Sequence, residues 1–320
     1  MLFARFLVEN DLLIEPSAGV AISLQECEEL AKEAKTDLWA YASRCAQKML
    51  PQIFRPDDPV LQVHLSPEDR IRLERLLGSL DPSIFRADDS LGWVYQFWQS
   101  KRKKQVNDSG VKIGADELPA VTQLFTEHYM VLFLLHNTLG AWWTGKRLND
   151  GSIKKQVKNA QNEDEVRRIL ALPGYSFDYL RLIKEEKEDI TWRPAAGTFR
   201  DWPKAAKNLK VLDPCCGSGH FVVALLILMT RIRMFEEGIS AKDALDLVLR
   251  DNLFGLEIDS RCTQIAVFSV ALASWKFEAI GYRPLPNLNI ACSGLPIGAK
   301  REEWVDLAGN DIRLKAGMER

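Results

Sequence analysis

Val211-Leu212-Asp213-Pro214-Cys215-Cys216-Gly217-Ser218-Gly219-His220-Phe221 is the stretch on which the reading of this chain turns. Leu209 to Leu212 has the apolar, β-branched character of a buried strand, and Asp213-Pro214 stops it. A Gly-Ser-Gly turn then leads into a long apolar helix from about Phe221 to Phe235. Such a strand–loop–helix unit presents backbone N–H groups at a helix N-terminus, where a polar or anionic ligand is held. Glycine at 217 and 219 lets the backbone approach that ligand with no Cβ between them.

A dinucleotide fold is the first candidate, and it requires G-x-G-x-x-G. Gly217 and Gly219 satisfy the first two positions, but Val222 occupies the third. Asp213 stands at the strand end, where a carboxylate would repel a pyrophosphate. It suits a ligand carrying an ammonium group, and S-adenosyl-L-methionine has one and no phosphate.

Asp213 to Phe221 resembles the first motif of adenine-specific DNA methyltransferases that modify the exocyclic amino group. Cys215 stands where family members usually have Ala. The resemblance implies an α/β fold in which part of a Rossmann-like class I methyltransferase sheet binds S-adenosyl-L-methionine. The cofactor contacts it implies in this motif are Asp213, Pro214, Cys216, Gly217, Ser218, Gly219 and Phe221. Downstream, Asn252 to Asp259 reads as a second strand ending in acid. Its Gly-Leu-Glu-Ile-Asp resembles the second motif, by which Glu257 holds the ribose and Ile258 lies against the adenine ring. Glu257 lies 44 residues beyond Asp213, against about 20 in dinucleotide folds. The long first helix and a further one over Ser240 to Arg250 fill the gap. Ser260 to Phe277 forms another helix with an apolar face of Ile265, Phe268, Val270, Leu272 and Trp275.

A third segment precedes these two. Thr126 reads as an N-cap, a helix runs through Leu132 to Leu139, and Gly140 reads as the residue that ends it. It resembles the motif whose helix N-terminus closes over the methionine end of the cofactor. Many relatives have Pro where Glu127 stands, which leaves Thr122 and Thr126 as the expected contacts.

Composition is that of an ordinary globular protein, with 47% hydrophobic and 27% charged residues. A net charge of −2 excludes a strongly basic nucleic-acid module, so any DNA contact must use local patches. The six cysteines form no C-x-x-C pair and the four histidines are scattered, which argues for reduced thiols and against a metal. No signal peptide or apolar run of membrane-spanning length occurs, so a cytoplasmic location away from any membrane is expected.

Three stretches follow: a helical region over 1–105, a cofactor-capping helix and connector over 106–205, and the partial methyltransferase domain over 206–320. In the first, Ser23-x-x-Glu26 is a capping box opening a helix to about Leu50, and Ser66-Pro67 opens another over Glu68 to Leu77. The aromatic run Trp93, Tyr95, Phe97, Trp98 reads as core or interdomain packing, with stacking of a flipped base as the alternative. Lys101-Arg102-Lys103-Lys104 reads as a solvated run, with phosphate contact as the alternative. Residues 151–205 read as a helical connector and a loop. The order of motifs after a helical arm is similar to that of the large methyltransferases of phage-defence systems such as BREX.

One family element is missing. Adenine methylation in that family uses Asn/Asp-Pro-Pro-Tyr/Phe to hold the target amino group and clamp the base, and no such tetrapeptide occurs here. Asp58-Pro59-Val60-Leu61 and Asp81-Pro82-Ser83-Ile84 lack the second proline and the aromatic. The acid that normally bonds the cofactor adenine is also absent from Asn289 to Gly294, leaving Ser293 or backbone for that contact. The expectation is therefore the cofactor-binding portion of an adenine-specific DNA methyltransferase of a restriction-modification or phage-defence system, truncated or split before its catalytic motif. No catalytic residue is assigned. Its partners would be double-stranded DNA and a C-terminal catalytic and target-recognition polypeptide, with a free apolar sheet edge between them. Two alternatives remain: an inactive cofactor-binding fragment or regulator, and a methyltransferase of another substrate such as RNA.

Overall fold

The structure is a computed structural model that describes residues 1–56, 63, 65–87, 90–114, 117–122, 125–186 and 190–293. It is a mixed fold, mostly helical, with a small parallel sheet. The chain forms two compact units: residues 1–91 with 267–286, and residues 92–266 with 287–320.

The first unit opens with α1 (Leu2–Glu9) and a short hairpin of β1 (Ile14–Glu15) and β2 (Val20–Ala21). Then come α2 (Leu24–Glu33), α3 (Leu38–Met49), α4 (Pro67–Gly78) and α5 (Pro82–Arg86). The capping box forms: Ser23 Oγ accepts from Glu26 N at 3.2 Å, and Glu26 Oε2 accepts from Ser23 N at 2.7 Å. The single helix expected from there to Leu50 is in fact two. Lys35 takes a left-handed φ of 52°, and Asp37 caps the second helix by accepting from Trp39 and Ala40 N–H groups. Phe3 stacks on Phe268 at 4.5 Å, and Phe6 meets Phe85 edge-on at 5.1 Å, giving this unit an aromatic core.

The second unit contains α6 (Ser90–Ser109, from Gly92), α7 (Leu118–Thr122), α8 (His128–Asn137), α9 (Leu139–Arg147), α10 (Gly151–Asn159) and α11 (Glu163–Leu170). A hairpin of β3 (Leu182–Glu186) and β4 (Ile190–Pro194) follows, where a loop is expected from sequence. Gly140 does not end the helix that starts near Thr126. That helix ends at Asn137, and Gly140 lies inside α9, where a Cβ would stand 2.9 Å from the Phe177 ring. The glycine serves close packing there, not termination. Nor does Thr126 cap α8. Glu127 holds the cap position, with no side-chain hydrogen bond.

The parallel sheet consists of β5 (Val211–Asp213), β6 (Leu253–Glu257) and β7 (Ile290–Cys292), in that order. The helices α12 (His220–Glu237) and α13 (Ala241–Asp251) connect the first pair, and α14 (Ser260–Lys276) leads on from β6. Ser240 caps α13 by accepting from Asp243 N at 3.1 Å. The strand at 211–213 is not buried as its composition predicts. Leu212 is 53% exposed, and Leu256, on the same sheet face by register, is 37% exposed. The opposite face buries Leu253, Gly255 and Glu257. Among the described residues β5 pairs with β6 alone.

Candidate cofactor site

The turn between β5 and α12 is built by backbone. Gly217 and Gly219 take left-handed φ angles of 53° and 85°, a region costly for residues with a Cβ. At Gly219 a Cβ would also lie 2.9 Å from Ala266 Cα, so α14 reaches the turn only because that atom is missing. Cys216 N donates to Leu256 O at 2.9 Å and Gly219 N to Cys216 O at 2.8 Å, fixing the turn to the central strand. Asp213 Oδ1 accepts from Cys215 N at 3.1 Å, which shapes the strand exit.

A cavity of about 140 Å³ opens at this turn. Asp213, Cys216, Gly217, Ser218 and Phe221 line it from the motif, and Thr126 lines it from the start of the α8 segment. Pro214, Gly219, Glu257 and Ile258 are not among its lining residues, but Glu257 adjoins it through Gly217. The side chain of Thr122 lies outside the described residues, as do Asp58 to Leu61 and Gly294.

Glu257 is 5% exposed and accepts three backbone N–H groups: Gly217 at 2.8 Å, Ile258 at 2.9 Å and Asp259 at 3.0 Å. A carboxylate offers about four acceptor positions, so one remains for a ligand hydroxyl. Burial holds the Asp213 carboxyl above the usual carboxylate range. The nearby Glu257 charge adds to the rise, while the Cys215 N–H opposes it. A cation placed there would relieve that penalty. Burial also pushes the Cys216 thiol up to about 12, so it acts as a small apolar wall, not a nucleophile. Ser293 donates its N–H to Glu257 O at 2.8 Å, extending the β7 pairing past Cys292.

Sequence reasoning missed the α6 wall. Gly92, Tyr95 and Gln96 line the cavity together with Phe125. Tyr95 Oη donates to Asp259 Oδ2 and accepts from Gln99 Nε2 at 2.8 Å, and the Arg261 guanidinium closes on the same carboxylate at 2.6 and 2.9 Å. Burial works against the Asp259 charge, yet Arg261 and Tyr95 hold its carboxyl below the usual range. Burial and Asp259 together drive the Tyr95 phenol well above its ordinary value. Its partner lies 164 residues away, and no local pattern announces it. The rest of the aromatic run divides: Phe97 is 66% and Trp98 75% exposed, against the packing expected for them. Phe125 lies between Trp93 at 4.8 Å and His220 at 4.6 Å, and His128 Nδ1 meets His220 Nε2 at 3.4 Å.

No family model matches this chain. It is 29% identical over 231 residues to the adenine-specific methyltransferase BrxX of Escherichia coli strain HS, covering 70% of this chain and 17% of that protein. It is 26% identical over 230 residues to the adenine-specific methyltransferase PglX of Lacticaseibacillus casei, with the same coverage of 70% and 17%. A further relative is the adenine-specific methyltransferase PglX of Streptomyces coelicolor, 30% identical over 140 residues that cover 43% of this chain and 10% of that one. The chain is similar to adenine-specific methyltransferases. The resemblance read from its motifs therefore holds, over a chain that spans 17% of the length of the first two relatives. Among the described residues no helix is long and apolar enough to cross a membrane, and no group of three or more His, Cys, Asp or Glu could hold a metal ion.

Proposed function

We propose that this chain binds S-adenosyl-L-methionine at the ends of β5 and β6, as the cofactor-binding part of a Rossmann-like methyltransferase acting on the exocyclic amino group of adenine in double-stranded DNA. The observation that carries this reading is the convergence of Asp213, the glycine turn and Thr126 on one cavity, in a chain whose relatives are named adenine-specific methyltransferases. A space of about 140 Å³ matches the methionine end of the cofactor and not its whole. The ribose and adenine then extend toward Glu257 and Ile258.

Each residue has a stated task. Asp213 takes the ammonium group, and the first turn of α12 offers its backbone N–H groups to the carboxylate. Glu257 accepts from a ribose hydroxyl with its remaining acceptor position. Ile258 lies on the adenine. Thr126 approaches from the start of the α8 segment. The bound cofactor supplies a methyl group on a sulfonium, transferred directly to the amine. The residues around it fix its direction and shut out water.

Transfer also requires a group that holds the adenine amino group in line, and no Asn/Asp-Pro-Pro-aromatic tetrapeptide lies within these 320 residues. Polypeptide outside them would supply it. The edge of β5 that is unpaired among the described residues and the exposed face at Leu212 and Leu256 form the docking surface for that part. The place in restriction-modification or phage defence is the one the resemblance of its motifs implies, and a DNA substrate puts the enzyme in the cytoplasm. Calorimetric titration tests the cofactor reading: S-adenosyl-L-methionine gives one saturable site and NAD gives none. Absence of heat with S-adenosyl-L-methionine at millimolar concentration overturns it. The 320 residues by themselves transfer no labelled methyl to duplex DNA, and transfer by them alone overturns the division of labour.

A further inference from the structure

A second cavity, of about 1730 Å³, lies in the same unit and shares no lining residue with the first. Its walls come from α9, α10, the end of β4 and the loop over 197–204. It is larger than the roughly 300–1,000 Å³ that encloses a small ligand, which favours a polymer. Six cations line it: Lys146 from α9, Lys154 and Lys158 from α10, and Arg193, Arg200 and Lys204 from β4 and the loop. No Asp or Glu is among the described residues that line it.

The groove is also aromatic. The Phe199 and Trp202 rings lie 4.6 Å apart, tilted by 31°, and Trp202 is 36% exposed. Phe199 takes a φ of 46°, a strained setting for an aromatic residue, and it does so where its ring enters this groove. Trp192 lines the other wall, its indole N–H donated to Ala160 O at 3.2 Å, so that its orientation is fixed. Lys146 is a strut and not a candidate contact: its ammonium joins Glu236 of α12 and Lys204 O. That strut locates the groove. α12 starts at the cofactor cavity and ends near Glu236, and its 18 residues span about 27 Å.

We propose that this groove binds a single-stranded stretch of nucleic acid, with Lys154, Arg200 and Lys204 on the phosphates and Trp202 and Phe199 offered to unpaired bases. Double-stranded nucleic acid and acidic protein could use the cations, but neither gives a partner to exposed rings. The site lies one helix length from the proposed cofactor cavity. It is therefore an anchor for a strand and not a pocket for the reacting base. It does not depend on the cofactor reading.

The test is fluorescence anisotropy with a labelled 20-nucleotide oligothymidylate, a duplex of equal length and polyglutamate as probes, at several salt concentrations. The chain binds oligothymidylate more tightly than the duplex, and its affinity falls with salt. The triple change Lys154→Ala, Arg200→Ala and Lys204→Ala lowers affinity at least tenfold and reduces the log–log salt slope by about 2, at roughly 0.7 for each phosphate no longer neutralised. Trp202→Ala weakens oligothymidylate binding roughly five- to a hundredfold, the range for loss of one stacking platform. It leaves duplex binding unchanged, and Trp202→Phe restores most of the loss. Circular dichroism melting identifies any variant that fails to fold, and Trp202→Phe and the triple variant then carry the test separately. Failure of the wild-type chain to bind oligothymidylate overturns the proposal. So does equal binding of the duplex or of polyglutamate, or indifference of oligothymidylate binding to both Trp202→Ala and the triple change. S-adenosyl-L-methionine titration of the same variants keeps this outcome separate from the cofactor reading.

Discussion

The two cavities at the ends of α12 are made of different materials. The small one is shaped by main chain: two left-handed glycines, a strand end and a carboxylate that holds three backbone N–H groups. The large one is shaped by side chains from four separate segments, gathered by a strut between Lys146 and Glu236. A turn made of backbone must be written as a contiguous run, because glycine conformations and strand stops act on neighbours. A surface made of side chains need not be written together at all. The glycine-turn wall of the first cavity announces itself in eleven consecutive residues, whereas its α6 wall and the whole of the other cavity become visible only when the chain is folded.

Glycines with nearly the same φ, one beside each cavity, give the sharpest break in that comparison. Gly219 has φ 85° and Gly197 has φ 86°, but a Cβ at 219 meets Ala266 Cα at 2.9 Å while one at 197 meets open space. Gly197→Ala therefore destabilises by about 1–2 kcal/mol, the left-handed penalty alone. Gly219→Ala adds the overlap of an overpacked contact and reaches up to about 5 kcal/mol. Urea denaturation of both variants measures the difference. Equal losses would mean that α14 does not press on the turn.

Legibility follows the same division. The strand, turn and helix around 211–237 are readable because apolar runs and glycines punctuate them, and Ser240 as a cap is readable because capping is local. The exposure of Leu212 is not readable. An apolar strand shows that something can cover it, and only the packed elements decide what does. Gly140 looks like a helix stop because the ring that sits on it, Phe177, belongs to a segment 37 residues away. The break at Lys35 does carry a local mark, since Asp37 is an evident cap. The hairpin over 182–194 escapes a sequence reading because its charged residues obscure the strand period.

His136 links the two regions, because α8 begins at the first cavity and His136 holds the segment that runs on toward β3. Tyr179 N donates to its Nδ1 at 3.1 Å, which leaves the proton on Nε2, donated to Tyr175 Oη at 2.9 Å. Burial pushes this imidazole down to about 4, with the His128 charge adding to the shift and Asp178 opposing it. The unfolded chain protonates it near 6.5, so between those values the unfolded state binds more protons and stability rises with pH. Acidification from pH 6.5 to 4 then removes up to about 3 kcal/mol through this residue. His136→Gln flattens that part of the stability curve while lowering its neutral plateau. An unchanged slope in the variant would assign the pH dependence to other groups.

Glu257→Ala probes the backbone-built cavity from the ligand side. Loss of a charged acceptor for a ribose hydroxyl is worth roughly 1.5–3 kcal/mol, a tenfold or greater loss of S-adenosyl-L-methionine affinity by calorimetry. The same change frees three backbone N–H groups, so the variant also loses folding stability. Asp213→Asn separates the two effects, because its side chain holds one local N–H and, on the proposed reading, its charge serves the ligand. Affinity lowered in Asp213→Asn with little change in melting places the ammonium at that carboxylate, and unchanged affinity in both variants removes the second-strand assignment.

The smallest expected effect belongs to the most conspicuous charges in the sequence. Lys101-Arg102-Lys103-Lys104 is the densest basic run in the chain, yet it lies on α6, where successive residues turn by about 100°. Four neighbours on a helix point four ways and cannot line one strand of phosphates together. The cations at 154, 200 and 204 are scattered in sequence and share one groove. Alanine at all four positions 101–104 should change oligothymidylate affinity less than twofold at moderate salt, since screening leaves little of a distant charge beyond about 10 Å. The groove triple variant, with one charge fewer removed, should still weaken binding at least tenfold. Anisotropy titrations of the two variants side by side decide it. A larger loss from the 101–104 change would move the nucleic-acid surface to α6, beside the exposed Phe97 and Trp98, and would mean that linear charge density was the better guide after all.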